Sequence, residues 1–171
     1  TITIDLHKKY PQFEKIILMA SRLEKEKNIS LAISSIKDVI KKNPKSGLII
    51  VGEGNEKEKL GLIARNYGLE TRVIFDGWQD KDVLYSYYKT ADLFLVTSDY
   101  EGYGLTIIEA LSAGLTVLST DVGIAREAGA HITERDSIAE NIVKYIENGQ
   151  KTVELVNYPY KNKAEYLSKF K

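Results

Sequence analysis

The sequence predicts an α/β fold, a parallel sheet of about six strands covered by helices on both faces, and three observations lead there. Apolar runs of five or six residues recur along the chain, with segments of helical period between them. The runs are apolar at consecutive rather than alternate positions, as in strands buried on both faces. Glycines mark the ends of several runs, where a parallel strand turns into the next helix.

Taken in order, residues 1–14 read as a lead-in without clear periodicity. With Thr1 rather than methionine first, the chain is expected to be a piece of something longer. Lys15-Ile-Ile-Leu-Met-Ala20 is the first buried strand. Ser21 to Asn28 is a polar turn, and a helix carrying Leu31, Ile33, Ile36, Val39 and Ile40 runs to Asn43-Pro44. Gly47 to Gly52 is a second strand. Glu56 to Tyr67 is a charged helix burying Leu60, Ile63 and Ala64 and stopping at Gly68. Arg72 to Asp76 is a third strand, and Gly77-Trp-Gln-Asp80 leads into a helix to about Thr90. Its Val83, Leu84, Tyr87 and Tyr88 read as core. Asp92 to Thr97 is the fourth strand, Leu115 to Thr120 the fifth, and Ile132 marks a short sixth. Glu134 to Asn148 is a further helix, and residues 152–171 form a Tyr- and Lys-rich tail read as a docking helix. Strands alternating with helices imply right-handed crossovers and a single three-layer, Rossmann-like α/β/α domain over residues 1–171.

Composition removes several function classes. The 24 basic and 24 acidic residues balance, so no global field draws the chain to nucleic acid. Without cysteine there is no disulfide framework and no thiolate metal site, which fits a reducing, cytoplasmic setting. No apolar run reaches the roughly 18 residues of a membrane span, and no signal peptide opens the chain. His7 and His131 stand apart, without partners for a zinc site or a catalytic triad, and read as structural or surface residues.

The most informative stretch is Thr97 to Gly114. A helix bearing Leu105, Ile108 and Leu111 on one face follows the fourth strand and ends at Gly114, so Glu101, Gly102, Tyr103 and Gly104 occupy the turn between them. Ligands of open α/β sheets lie at such carboxyl ends of strands. The glycines let backbone approach a ligand, and the N–H groups opening the helix favour an anion. Glu101 and Glu109 flank that anion site. Carboxylates repel phosphate but accept hydrogen bonds from hydroxyl pairs, so the pattern suggests a ligand with both phosphate and sugar.

Other turns share this edge. Arg22 and Lys27, five residues apart after the first strand, can offset a diphosphate, Arg as a fork and Lys as a compact charge. Gly52-Glu-Gly54 hints at a dinucleotide fingerprint, but Lys57 stands where the third glycine belongs and the motif follows the wrong strand. Gly54 then either lines a cleft or serves a plain turn. Trp78 either stacks on a nucleobase or anchors onto the sheet edge. Asp80-Lys-Asp82 has the look of a metal pair, but with no third hard ligand nearby it reads as a helix cap.

In this order and spacing, Arg22-Leu-x-x-Glu-Lys27, Gly52-x-Gly54, Val73-x-Phe-x-Gly77, Glu101-Gly-Tyr-Gly-x4-Glu109 and Ala113-Gly-x-x-Val117 resemble the C-terminal domain of glycosyltransferase family 4, also called the group 1 glycosyl transferases. Ala91-Asp92 before the fourth strand fits as well, and the resemblance covers about Ile16 to Ile146. It implies the C-terminal half of a GT-B enzyme, which binds a nucleotide-diphosphate sugar such as a UDP or GDP sugar, retains anomeric configuration and needs neither metal nor cofactor. By that resemblance Arg22 and Lys27 hold the diphosphate, Glu101 the donor sugar and Glu109 the ribose diol. The backbone of Gly102, Tyr103, Gly104 and Leu105 contacts sugar and phosphate, and the loop of Trp78 faces the base. The acceptor, such as a cell-surface glycan or glycolipid in polysaccharide biosynthesis, is expected to bind a missing N-terminal domain of which residues 1–14 are the lead-in. Any peripheral attachment of the full-length protein to the inner face of the membrane would come through that other half, without which this piece is expected to be inactive.

Four features depart from the family's pattern. Ser21 and Asn28 stand where glycine is usual, Asp121-Val-Gly-Ile-Ala-Arg-Glu127 keeps one glycine and lacks a proline, and the segment after Glu127 is shortened. Two alternatives stay open at this level. A non-catalytic nucleotide-sugar-binding module would show no transfer, and a GT-B-related nucleotide-sugar epimerase would act without an acceptor. A nicotinamide oxidoreductase is disfavoured by Lys57.

Overall fold

The computed structural model describes residues 3–149, so the tail expected to be helical over 152–171 lies outside the described residues. The strands are β1 (Lys15–Ala20), β2 (Ser46–Val51), β3 (Val73–Gly77), β4 (Leu93–Val96), β5 (Val117–Ser119) and β6 (His131–Ile132). They form one sheet in the order β3-β2-β1-β4-β5-β6, and all neighbours are parallel. The helices are α1 (Leu6–Lys9), α2 (Ile29–Lys42), α3 (Lys57–Asn66), α4 (Lys81–Thr90), α5 (Leu105–Ser112), α6 (Ala125–Ala128) and α7 (Ile138–Asn148), with short 3-10 turns at Lys25–Lys27 and Arg135–Ser137.

The continuous apolar runs have a direct cause. Successive side chains of a strand point to opposite faces, and both faces here are covered. Ile16, Leu18, Ile49 and Val51 enter one core with Phe94, Ile107 and Leu111, while Ile17, Met19, Leu48 and Ile50 enter the other with Ile33, Ile36 and Ile142. Each fully buried Leu or Ile contributes roughly 1.5–3 kcal/mol relative to exposure, so neither face can be dispensed with.

Three elements differ from the sequence reading. Residues 1–14 are not a shapeless lead-in. Asp5 caps α1 by accepting from the N–H groups of His7 and Lys8, and Leu6 and Phe13 are buried. A four-residue helix is too short to carry a readable period. Asp92 joins this segment to the sheet, since its Oδ2 accepts from Ile16 N–H at 2.8 Å and lies 3.0 Å from His7 Nε2. In α5 the buried face is Ile107, Ile108, Ala110 and Leu111, whereas Leu105 is 53% exposed. In α3, Leu60 and Ala64 are buried while Ile63 packs only partly. Gly114, at φ 82°, does end α5: its N–H donates to Leu111 O and that of Leu115 to Ala110 O.

Candidate functional site

From β1 the chain steps outward one way to β2 and β3 and then the other way to β4, β5 and β6. The loops leaving the carboxyl ends of β1 and β4 therefore diverge over a crevice, the place where open α/β sheets bind ligands. Hydrogen bonds lace the two loops together. Asp99 N–H donates to Glu26 O at 2.8 Å, Thr97 Oγ1 to Lys27 O and Asn28 O at 3.1 and 3.0 Å, and Asn28 Nδ2 to Asp99 Oδ1 at 3.0 Å. Asn28 sits in the left-handed region at φ 46°, a conformation asparagine tolerates better than most residues, so replacing the usual glycine leaves this turn intact.

At the centre, Lys27 Nζ donates to Glu101 Oε1 at 2.8 Å, with side chains 12% and 14% exposed. Ser98 Oγ donates to the same oxygen at 2.7 Å. Both donors use Oε1, so among the described residues Oε2 remains available to a ligand. A cavity of about 10 Å³ adjoins the pair, lined by Ser21, Lys27, Ser98, Glu101 and Thr106 over an apolar floor that includes Val96.

Gly104, at φ 99°, delivers the chain into α5, whose first turn has no side-chain cap and no acidic residue. Its leading N–H groups are left for an anion. One turn along α5, the exposed Glu109 accepts from Tyr88 Oη at 3.2 Å through Oε2. Burial, and then the Glu109 charge and hydrogen bond, push the Tyr88 phenol well above its ordinary range and keep it a donor.

The glycine-rich turns prove to be packing devices. A Cβ on Gly54 would stand 2.4 Å from Leu23 O, and one on Gly52, at φ 134°, 1.8 Å from Ser21 O. The β2–α3 turn thus presses on the β1 loop, and Gly54 is needed there because a side chain would collide with Leu23. Gly123 is the glycine kept in the altered 121–127 segment, and a Cβ there would meet Tyr103 O at 2.4 Å. That carbonyl accepts from Ile124 N–H at 2.8 Å, which braces the Glu101–Gly104 turn from behind.

Of the residues singled out from sequence, Lys27, Glu101 and the start of α5 converge on the crevice. Gly102, Tyr103 and Leu105 are exposed along the same turn, and Gly102 has open space around it. Arg22 does not join Lys27; its side chain is 73% exposed and meets Glu26 at 3.4 Å. Trp78 is 73% exposed, so its ring is accessible beyond β3. Asp80 caps α4, accepting from the N–H groups of Asp82 and Val83. Sequence reasoning missed Ser98 and the Tyr88 hydroxyl. Ser98 carries a local signal, three positions before Glu101, whereas Tyr88 carries none because its contact crosses from α4 to α5.

A second lysine–carboxylate cluster stands near the end of β3. Asp76 accepts from Lys9 Nζ at 2.7 and 2.9 Å, from Tyr10 Oη at 2.7 Å and from Tyr87 Oη. Burial raises its pKa, but the hydrogen bonds from Lys9, Tyr87 and Tyr10 outweigh burial and hold the carboxyl below its ordinary range. Burial, with Asp76 adding to it, raises the Tyr10 phenol to about 12 and pushes that of Tyr87 higher still.

Residues 4–162 match the family model described as glycosyl transferases group 1. The alpha-monoglucosyldiacylglycerol synthase of Streptococcus pneumoniae is 36% identical over 106 residues, which is 62% of this chain and 24% of the synthase. Among solved structures, Anabaena Alr3699/HepE in complex with UDP-glucose superposes with a TM-score of 0.76 at 26% identity, covering 89% of this chain and 44% of HepE. The pneumococcal O-GlcNAc transferase GtfA, in complex with UDP and GlcNAc, superposes at 0.69 with 27% identity, covering 81% of this chain and 30% of GtfA. The chain thus spans between a quarter and a half of the length of these proteins. Among the described residues, no helix is long and apolar enough to cross a membrane.

Proposed function

The chain belongs to the group 1 glycosyl transferases, and from that membership we propose that it is the donor-binding, C-terminal half of a retaining, metal-independent GT-B glycosyltransferase of family 4. It takes a nucleotide-diphosphate sugar, with UDP the favoured carrier because both solved relatives were captured with UDP or UDP-glucose. The observation that carries this reading is the Lys27–Glu101 pair, largely buried at the mouth of the crevice and beside the uncapped start of α5.

The residues divide the work by chemistry. As the bond between the anomeric carbon and the diphosphate breaks, negative charge collects on the departing phosphate. Lys27 and the leading N–H groups of α5 are already fixed there, and a preorganised charge and dipole stabilise that state more than mobile water does. Arg22, exposed beside Glu26, adds its fork to the diphosphate once the ligand is in place. The Oε2 of Glu101 accepts from sugar hydroxyls, Glu109 accepts from the ribose diol, and Trp78 offers a face to the base. The acceptor half, with any membrane attachment, is supplied by the rest of the protein, which acts in the cytoplasm or at the inner face of the membrane.

Calorimetric titration with UDP, GDP and ADP, without added metal, tests the assignment. UDP is expected to bind best, and Arg22→Ala and Glu109→Ala each to weaken it. If no nucleoside diphosphate binds at millimolar concentration to this chain or to the longer protein containing it, the reading is wrong.

A further inference from the structure

Asn28 stands where a glycine is usual, and the side chain it brings makes a bond that glycine could not. Its Nδ2 donates to Asp99 Oδ1 at 3.0 Å, and its own Oδ1 accepts from Ser30 Oγ at 3.2 Å. The same Asp99 oxygen accepts from Arg135 Nη2 at 2.5 Å. One carboxylate oxygen therefore joins three loops that leave the same edge of the parallel sheet, those after β1, β4 and β6. The third loop is itself well anchored. Thr133 N–H donates to Ser119 O at 2.9 Å, Asn141 Nδ2 of α7 donates to Thr133 Oγ1 at 2.9 Å, and Ile138, which opens α7, is fully buried.

Place in the chain gives this junction its consequence. Asn28 directly follows Lys27, and Asp99 stands two residues before Glu101. Fastening residue 28 to residue 99 therefore fixes the two loops whose Lys27 and Glu101 meet at 2.8 Å. The junction itself faces elsewhere. Among the described residues lining the cavity of about 10 Å³ beside Lys27 and Glu101, none is Asn28, Asp99 or Arg135. Asn28 and Asp99 instead line a separate groove of about 180 Å³, together with Glu24 and Glu56. Arg135 and Asp99 are 57% and 45% exposed, where an ion pair adds little to global stability. Such a pair can still bias a loop between arrangements, and apparent affinity scales with the fraction of chains in the competent one. We propose that Asp99 is a positioning residue: with Asn28 and Arg135 it holds the Lys27 and Glu101 loops in the donor-binding arrangement. This inference rests on the donor-binding reading above and gives that site a brace that does not touch the ligand.

The test is calorimetric titration with UDP of the chain, alone or within the longer protein, with melting temperature measured alongside. Asn28→Gly and Arg135→Ala should each weaken UDP about threefold and Asp99→Ala about fivefold, with melting temperatures within about 2 °C of wild type. Asp99→Asn keeps an accepting oxygen and should retain UDP affinity within about twofold. In the Asp99→Ala background, adding Asn28→Gly or Arg135→Ala should weaken UDP no further, because residues of one network are not additive. If Arg135→Ala still weakens UDP threefold in that background, Arg135 acts on the ligand directly and the proposal falls. Wild-type UDP affinity in Asp99→Ala, whatever its melting temperature, marks a merely structural role; that also overturns it and leaves the donor-binding reading standing. Should Asp99→Ala not fold, Asp99→Ser takes its place in every comparison. A wild-type chain that binds no UDP in either form overturns both.

Discussion

Two clusters at the ends of β3 and of β4 are built from the same parts, a lysine, a carboxylate and hydroxyls, and they differ in what they leave unspent. At Asp76 both oxygens are taken, by Lys9 and by two tyrosines, and the cluster joins α1, β3 and α4. At Glu101 both donors fall on one oxygen, and the partners sit on loops. The saturated cluster ties elements of the fold together, whereas the other keeps a carboxylate oxygen free, as the proposed donor site requires. Local chemistry alone does not separate the two; the count of satisfied atoms does.

The largest expected break in this comparison is Lys27→Ala. It strands Glu101 in a largely buried position and removes the phosphate charge, so UDP affinity should fall about 100-fold, as when one partner of a buried charge pair is truncated. Calorimetry reads the affinity, and a lowered melting temperature should accompany it. Asp76→Ala should do the opposite, costing about 2 kcal/mol of stability in chemical denaturation with UDP affinity unchanged. If Asp76→Ala weakens UDP binding as strongly as Lys27→Ala does, the distinction between the clusters fails.

The pH dependence of stability sharpens the contrast. Asp76 has its carboxyl pKa lowered by folding, so its contribution is present above the unfolded value of about 3.9 and is lost as pH falls through the folded value. The phenol of Tyr10 is raised to about 12, so its contribution is present below the unfolded value near 10 and is lost as pH rises toward 12. Melting temperature against pH should therefore drop at both extremes, and Asp76→Asn should flatten both drops.

Smaller effects probe the rest of the crevice. Trp78→Ala should weaken UDP about tenfold through lost stacking while leaving stability unchanged, since the ring is mostly exposed. Tyr88→Phe should weaken UDP about fivefold by releasing Glu109, the worth of one ordinary hydrogen bond. If Tyr88→Phe weakens inorganic pyrophosphate, which has no ribose, by the same factor, Glu109 is not reading a ribose.

Much of this was legible before any coordinates. Buried strands reveal themselves as consecutive apolar runs because both faces are covered, and the turns after β1 and β4 could be placed at one edge because parallel strands share their polarity. Lys27 and Glu101 were accordingly named together although they lie 74 positions apart. Arg22 was named with them and turned out exposed, since two cations five residues apart on an irregular turn have no shared direction that a pattern can express. Helical period puts Leu105 on one face with Ile108 and Leu111, but it stands in the first turn of α5 and its side chain is 53% exposed.

The sequence by itself determined the layers, the order of elements, the edge that carries the candidate site and the charged residues at that edge, because each depends on periodicity or on neighbours along the chain. Only the tertiary structure decided which hydroxyl meets which carboxylate: Ser98 with Glu101, Tyr88 with Glu109, Tyr87 with Asp76, and Ser21 with none. Apart from Ser98 and Glu101, which share a turn, these pairings arise between separate elements. Such pairings depend on distances of a few tenths of an ångström, and hydrogen-bond geometry at that scale leaves no periodic trace in the order of residues.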